Sequence, residues 1–239
     1  MSTPEKPTAI VTGASSGIGL GIAQALLERG WNVVGTSRTI TQSKELKSSA
    51  QLVLVDGEAS KKATAVAVVD AALKQFGRVD LLVNNAGIYI PKAFTDYTED
   101  DFNRVLSTNV ASYFFMTQQV VPAMKKQRTG HVVNISAVVA DQPSAGSLLA
   151  VLSKSTMPAV SKALAIEYAA DNIRFNTVSP GAVNTPMHAN EDHAAMGKWH
   201  PLGRMAEISD VVGAVLYLQG ATFVTGENIR VDGGVHAGR

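Results

Sequence analysis

The sequence predicts an α/β protein built on a doubly wound parallel sheet, and three observations carry that prediction. Short apolar, β-branched runs alternate with longer helix-patterned segments along the chain. The runs are nearly all apolar, as expected of strands that helices cover on both faces. The first run, Ala9-Ile10-Val11, leads into the glycine-rich turn Thr12-Gly13-Ala14-Ser15-Ser16-Gly17-Ile18-Gly19, which opens a helix-patterned segment continuing to about Arg29.

The runs fall at 9–12, 33–36, 52–55, 81–83, 131–135, 175–178 and 229–231, each a predicted strand. The segment 59–76 repeats Ala63, Ala67 and Ala71, which predicts a helix with a narrow face lying close to a neighbour. Only the stretch 184–205 lacks clear periodicity. It follows the sixth strand, and ligands of open α/β sheets bind beyond the carboxyl ends of the strands. It is therefore the candidate substrate lid, with a surface excursion lacking function as the alternative.

The chain has 239 residues, 46% of them hydrophobic, which suits one large domain spanning 1–239 and would cramp two. Lys and Arg number 21 against 20 Asp and Glu, a net +1, with no basic block, so nucleic acid is not expected as a partner. The expected partner is a small molecule. The absence of cysteine excludes disulfides and thiolate metal sites. The five histidines show no ligand spacing, so no metal is expected. No secretory pattern and no apolar run of membrane-spanning length is present, and the expectation is a cytoplasmic protein away from the membrane.

A strand, a glycine-rich turn and a helix start make a phosphate cradle. Glycines let the backbone turn sharply and approach a pyrophosphate, while free N–H groups and the positive end of the helix dipole offset its charge. A dinucleotide is the expected ligand, and a tight structural turn is the alternative reading.

Further motifs follow: Asn84-Asn85-Ala86-Gly87 after the fourth strand, Asn109 within a helix, Asn134-Ile135-Ser136 ending the fifth strand, and Ser153-Lys154 opening a helix. Pro180-Gly181 follows the sixth strand, and Val231-Asp232-Gly233-Gly234 lies near the end. Together these resemble the short-chain dehydrogenase/reductase family over essentially the full length. The resemblance implies a single Rossmann-type sheet of seven strands flanked by helices, a homo-oligomer (tetramer or dimer), and NAD or NADP bound beside a substrate pocket. It also implies that Asn85, Ala86 and Gly87 flank the adenosine ribose and that Lys154 grips the nicotinamide ribose. Pro180, Gly181, Val183 and the Thr185 hydroxyl would meet the carboxamide and pyrophosphate. Asp56 would accept from the adenine amine, with Gly57 beside it. The cradle itself contributes Gly13, Ser15, Ser16, Gly17, Ile18 and Gly19.

Charge argues for the phosphorylated cofactor. A carboxylate ending the second strand would bond the ribose 2′-hydroxyl and repel a 2′-phosphate. Here the strand ends Gly35-Thr36-Ser37-Arg38, a hydroxyl and a guanidinium. Arg38 can bond a phosphate through two donors and stack on adenine, so NADP is favoured over NAD, with a solvated loop cation as the alternative reading of Arg38.

The chain departs from the family where the proton moves. Carbonyl-reducing members use a tyrosine four residues before the lysine as proton donor and a serine thirteen residues before that tyrosine to orient the substrate oxygen. Those positions are Ala150 and Ala137. A developing alkoxide needs a preorganised donor, and losing one costs on the order of 3 kcal/mol. The neighbours Leu148, Leu149, Val151 and Leu152 are also apolar, which two point changes would not produce, so the pattern reads as a natural divergent branch.

Pro158 lies four residues after Lys154. A proline inside a helix would leave the Lys154 carbonyl free and kink the chain, unless the helix starts late enough to hold Pro158 in its first turn. Asn109 and Lys154 remain as catalytic candidates, and His188 ranks first among groups able to replace the missing acid because imidazole titrates near neutrality. Tyr89, Ser136, Ser147, Asp141 and Gln142 are further candidates.

The leading expectation is an NADP(H)-dependent oxidoreductase with a non-standard proton donor and a small apolar substrate, iminium ions being one class that demands little protonation. The alternatives are a catalytically silent NADP(H)-binding sensor or assembly subunit, and a lyase or hydratase on the same scaffold.

Overall fold

The computed structural model describes residues 6–238, in which the apolar runs become seven strands with helices between them. In chain order they are β1 (Thr8–Thr12), α1 (Gly17–Glu28), β2 (Asn32–Ser37), β3 (Leu52–Asp56), α2 (Lys62–Phe76), β4 (Leu81–Asn84), α3 (Glu99–Leu106) and α4 (Ser112–Gln127). They continue with β5 (Gly130–Ile135), α5 (Leu148–Lys154), α6 (Thr156–Glu167), β6 (Ile173–Pro180), α7 (His193–Lys198), α8 (Ile208–Gly220) and β7 (Asn228–Val231). All pairings are parallel, in the order β3-β2-β1-β4-β5-β6-β7. The order reverses between β1 and β4, which opens a crevice at their carboxyl ends.

Successive strand residues face opposite sides, and both sides are apolar. Ala9, Val11, Leu81, Val83 and Val133 pack beneath α1 and α8, against Ile22, Leu26, Val211, Val215 and Leu218. Ile10, Val34, Leu82, Val132 and Phe175 face α2 and α4, against Val68, Val69, Met116, Val120 and Met124. Each fully buried side chain of this size contributes about 1.5–3 kcal/mol over exposure. Buried polar side chains mark the carboxyl ends of the strands, at Thr12, Thr36, Asn84, Asn134 and Ser179, while others, such as His131 and Asn176, lie earlier along β5 and β6. That edge carries the site. No helix among the described residues is long and apolar enough to cross a membrane.

Three local expectations are corrected. Helix α2 begins at Lys62 rather than Ala59, and it buries Thr64, Ala65, Val68, Val69 and Ala72. Ala63 and Ala67 face solvent. The two valines carry more apolar area than the alanines, and they select the stripe that meets the core. Ser153 and Lys154 close α5 rather than opening a helix. The stretch 184–205 is not irregular throughout, since it holds a 3₁₀ turn at Pro186–His188 and the short helix α7, capped by the Asp192 carboxylate accepting from the Ala194 and Ala195 N–H groups.

Pro158 falls in the first turn of α6, where its missing N–H costs no helical hydrogen bond within that helix. Ser155 between the two helices stays right-handed helical, at φ −64° and ψ −22°. The Lys154 carbonyl, four residues before the proline, is taken by the Ser136 hydroxyl, which donates to it at 2.8 Å. The chain therefore passes from α5 to α6 with that carbonyl satisfied.

Candidate active site

Gly13 (φ +67°) and Gly17 (φ +55°) hold left-handed conformations that side chains rarely adopt, and these turn the chain from β1 into α1. Ser16 caps α1 in extended conformation without a side-chain hydrogen bond, and no acidic residue stands in the first turn. The backbone N–H groups of Ser15 and Ser16 have no partner among the described residues. The positive end of α1 is thus left for an anion. A Cβ on Gly19 would strike the Gly13 carbonyl and Asn85 Nδ2, so Gly19 serves the turn's close packing and does not line the cleft.

The Thr12 hydroxyl accepts from the Asn85 and Ala86 N–H groups, each at 3.0 Å, and Asn85 Nδ2 donates to the Thr12 carbonyl at 3.0 Å. The turn after β4 is tied in this way to the glycine turn after β1. One residue earlier, at the end of β4, Asn84 Nδ2 donates to Asn134 Oδ1 at 2.9 Å and to Thr117 Oγ1 at 3.0 Å. Asn134 passes the chain to Ser161. These buried bonds fix the strand ends beneath the cleft.

At the far end Ser37 and Arg38 line the cleft with Gly57 and Glu58. Arg38 is exposed and has no carboxylate partner among the described residues. Asp56 departs from expectation. Its carboxylate accepts from the Thr41 N–H at 2.9 Å and from the Thr41 hydroxyl, which lowers its pKa, and it does not line the cleft. The 3₁₀ turn Ile40–Gln42 after β2 brings Thr41 to it.

The other end is built on β5 and α5. Asn109 lies in a π-helical turn, Ser107–Ala111, between α3 and α4. Its side chain accepts from the Ile88 N–H at 2.8 Å and donates to the Ile88 carbonyl and the Ser153 hydroxyl, both at 3.0 Å. Lys154 Nζ donates to the Ile135 carbonyl at 2.8 Å, and burial lowers its pKa to about 8. A Cβ placed on Gly87 would sit 3.2 Å from both Asn109 Oδ1 and Lys154 Nζ, so the absent side chain brings these three together. Ala137 and Ala150 line the same cleft, and no hydroxyl stands at either position.

Pro180, Gly181, Val183 and Thr185 border the cleft from the exit of β6, and Thr185 crosses the glycine turn, 3.5 Å from where a Cβ on Gly17 would be. The stretch 184–205 leaves and returns at one point. Val183 pairs with Ala206, and the Asn184 N–H donates to the Ala206 carbonyl at 2.8 Å. Within it the buried His200 donates from Nδ1 to the Met196 carbonyl, and its Nε2 accepts from the Ala182 N–H, both at 3.0 Å. His188 lines the cleft with Met187, Met196 and Trp199, and its Nδ1 lies 3.2 Å from Glu191 Oε1.

The whole forms one cleft of about 810 Å³, running from Arg38 to Trp199. Of the other candidates, Tyr89 and Ser136 line it. Asp141 is drawn away by an ion pair with Arg230 at 2.7 Å, and the Ser147 hydroxyl is turned to the Ser144 carbonyl; neither these two nor Gln142 lines it. Sequence reasoning missed Glu58, Val138, Val139 and Glu191. Only the position of Glu191 within the expected lid hinted at it.

A family model described as Enoyl-(Acyl carrier protein) reductase matches residues 13–236. The chain belongs to the short-chain dehydrogenase/reductase family of oxidoreductases. Among relatives of this family, the 3-oxoacyl-[acyl-carrier-protein] reductase FabG of Salmonella typhimurium is 33% identical over 242 residues, covering 97% of this chain and 98% of its own. An oxidoreductase of Methylorubrum extorquens is 35% identical over 249 residues, covering 98% and 100%. Solved short-chain dehydrogenase/reductase structures agree closely in fold. ElxO with NADP bound superposes with a TM-score of 0.90 at 26% identity, and 3-ketoacyl-(acyl-carrier-protein) reductase of Brucella melitensis complexed with NADH with 0.90 at 30%; each alignment covers 98% of this chain and 100% of the other.

Proposed function

We propose that this protein is an NADP(H)-dependent oxidoreductase acting on a small apolar substrate, with a proton-donor arrangement unlike that of carbonyl-reducing relatives. One observation carries the reading: a cradle and an Arg38 with no carboxylate partner among the described residues, together suited to a phosphorylated dinucleotide, share a cleft with methyl groups at 137 and 150. The donor set fits the cofactor. The open start of α1 and the Ser15 and Ser16 N–H groups suit the pyrophosphate, Ser37 and Arg38 the 2′-phosphate, and Lys154 the nicotinamide ribose. Gly13, Gly17, Ile18, Gly57, Asn85, Ala86, Gly87, Pro180, Gly181, Val183 and Thr185 provide the walls.

Bound there, a nicotinamide supplies or accepts hydride at its C4. Asn109 holds the Ile88 turn and α5 in register, and Lys154 brings a buried amine to the ribose end. His188 takes the acid's role from the lid side, with its buried Nδ1 3.2 Å from Glu191 and without a hydrogen-bond partner among the described residues. The 184–205 segment closes over the substrate on its pinned ends, as a loop with adjacent roots is built to do. A homo-oligomer, dimer or tetramer, is the assembly we propose from family membership. The paired methyl groups favour one second reading, a nucleotide-binding sensor without turnover.

The test is calorimetric. NADPH should bind the wild type more tightly than NADH, and Arg38→Ala should weaken NADPH by about 10- to 100-fold, the worth of a charge-assisted phosphate contact, with little change for NADH. Equal affinities of the two nucleotides in the wild type would refute the cofactor assignment. Tight binding with no oxidation of NADPH by any aldehyde, quinone or cyclic imine would establish the sensor instead.

A further inference from the structure

We propose that the substrate of this cleft is a carbon–nitrogen double bond, an imine or iminium ion, and that the Glu191 carboxylate recognises its positive charge; the inference rests on the NADP(H) reading above.

Three observations converge on it. The first is what is missing. A ketone becomes an alkoxide as hydride arrives, and the two positions from which a hydroxyl would meet that oxygen carry methyl groups, Ala137 and Ala150. An iminium carbon instead begins beside a cationic nitrogen. It gains the hydride, the π pair settles on nitrogen, and the product is a neutral amine while the reduced nicotinamide is left oxidised. That step transfers no proton and creates no anion.

The second is charge. Two carboxylates line the cleft among the described residues, Glu58 and Glu191. Glu58 follows Gly57 after β3, and both line the cleft. Glu191 belongs to the lid and its side chain is 42% exposed, against 15% for the His188 ring beside it. Tyr89 lines the same cleft, and its phenol is raised above its ordinary value by burial first, then by Tyr97 and by Glu191. Of the cleft's cations, Lys154 is turned to the Ile135 carbonyl, and Arg104 faces Asp100 at 3.6 Å.

The third is the wall. Tyr89, Trp199, Met187 and Met196 surround this end, and aromatic faces with a nearby carboxylate suit an apolar cation. His188, 3.2 Å from Glu191, is placed to protonate a neutral imine nitrogen before hydride arrives and to recover its proton from solvent.

Because Glu191 attracts a charge already present in the ground state, removing it should raise KM more than it lowers kcat. The NADP-loaded protein should bind the non-titrating cation N,N-dimethylpiperidinium, and Glu191→Gln should weaken that binding by about ten-fold while leaving NADP affinity within about two-fold. In turnover with NADPH, 2-methyl-1-pyrroline should be preferred to cyclohexanone, and the same substitution should shrink the preference through KM. Equal cation binding by both proteins, or faster reduction of cyclohexanone, overturns the substrate assignment alone. Failure to bind NADP overturns the cofactor reading and this inference with it.

Discussion

The two ends of the cleft are held by different kinds of interaction. At the end nearest α1 the lining is mostly backbone: left-handed glycines at 13 and 17, N–H groups at 15 and 16 without a partner among the described residues, and a helix start without a side-chain cap. At the other end it includes many side chains, drawn from the exits of β4, β5 and β6, from α5 and from the stretch 184–205. A backbone cradle tolerates change in its neighbours as long as the turn keeps its shape. Side-chain chemistry can be lost at a single position. Under the proposed function the chain keeps the first end and exchanges the second, the way a nucleotide fold acquires new chemistry without rebuilding its sheet.

The sharpest way to break this contrast is to return the missing hydroxyls. Ala137→Ser with Ala150→Tyr should raise cyclohexanone reduction by at least about 100-fold, since each restored donor is worth on the order of 3 kcal/mol in the transition state. Steady-state kinetics decide it. No gain would mean that the substrate end differs in shape as well as in chemistry.

The next effect probes burial at the junction of the two ends. Lys154 has its pKa lowered to about 8 in the folded protein, while the unfolded chain keeps the ordinary 10.5. Below pH 8 both states hold the proton and the folded state bears the cost of a buried charge. Between about 8 and 10.5 the unfolded state binds more protons, so unfolding free energy should rise with pH across that window, by no more than about 3 kcal/mol. Urea denaturation at several pH values should show this rise in the wild type and its loss in Lys154→Met.

The smallest effect concerns the passage from α5 to α6. Ser136→Ala removes the donor to the Lys154 carbonyl and should cost about 1 kcal/mol. In a Pro158→Ala background, residue 158 regains an N–H able to serve the same carbonyl, so the cost should shrink. A double-mutant cycle measures the coupling, and additive costs would show that Ser136 and Pro158 act independently.

Much of this architecture could be read before any coordinates. The seven runs and the glycine turn each lie within a dozen residues, and local alternation determines which segments become strands and where α1 starts. The failures are equally specific. The alanine repeat of α2 suggested a packed face, yet Val68 and Val69 took the core because the sheet offered them more area to bury. Asp56 was expected at adenine, but the 3₁₀ turn after β2 carries Thr41 to it. Asp141 was a candidate for the pocket until Arg230, brought alongside by β7, paired with it.

By itself, then, the amino-acid order determined the α/β class, the sequence of elements, the phosphate cradle and the loss of two hydroxyls, because each is written in neighbouring residues. Only the tertiary structure decided which groups stand opposite those methyls and what receives the Lys154 carbonyl. Tyr89, Glu191 and Trp199 lie tens of residues or more from Ala137 and Ala150 along the chain. They share one cleft because β4, β5 and β6 end side by side and the stretch 184–205 returns to that edge, and such neighbours are chosen by packing rather than by local pattern.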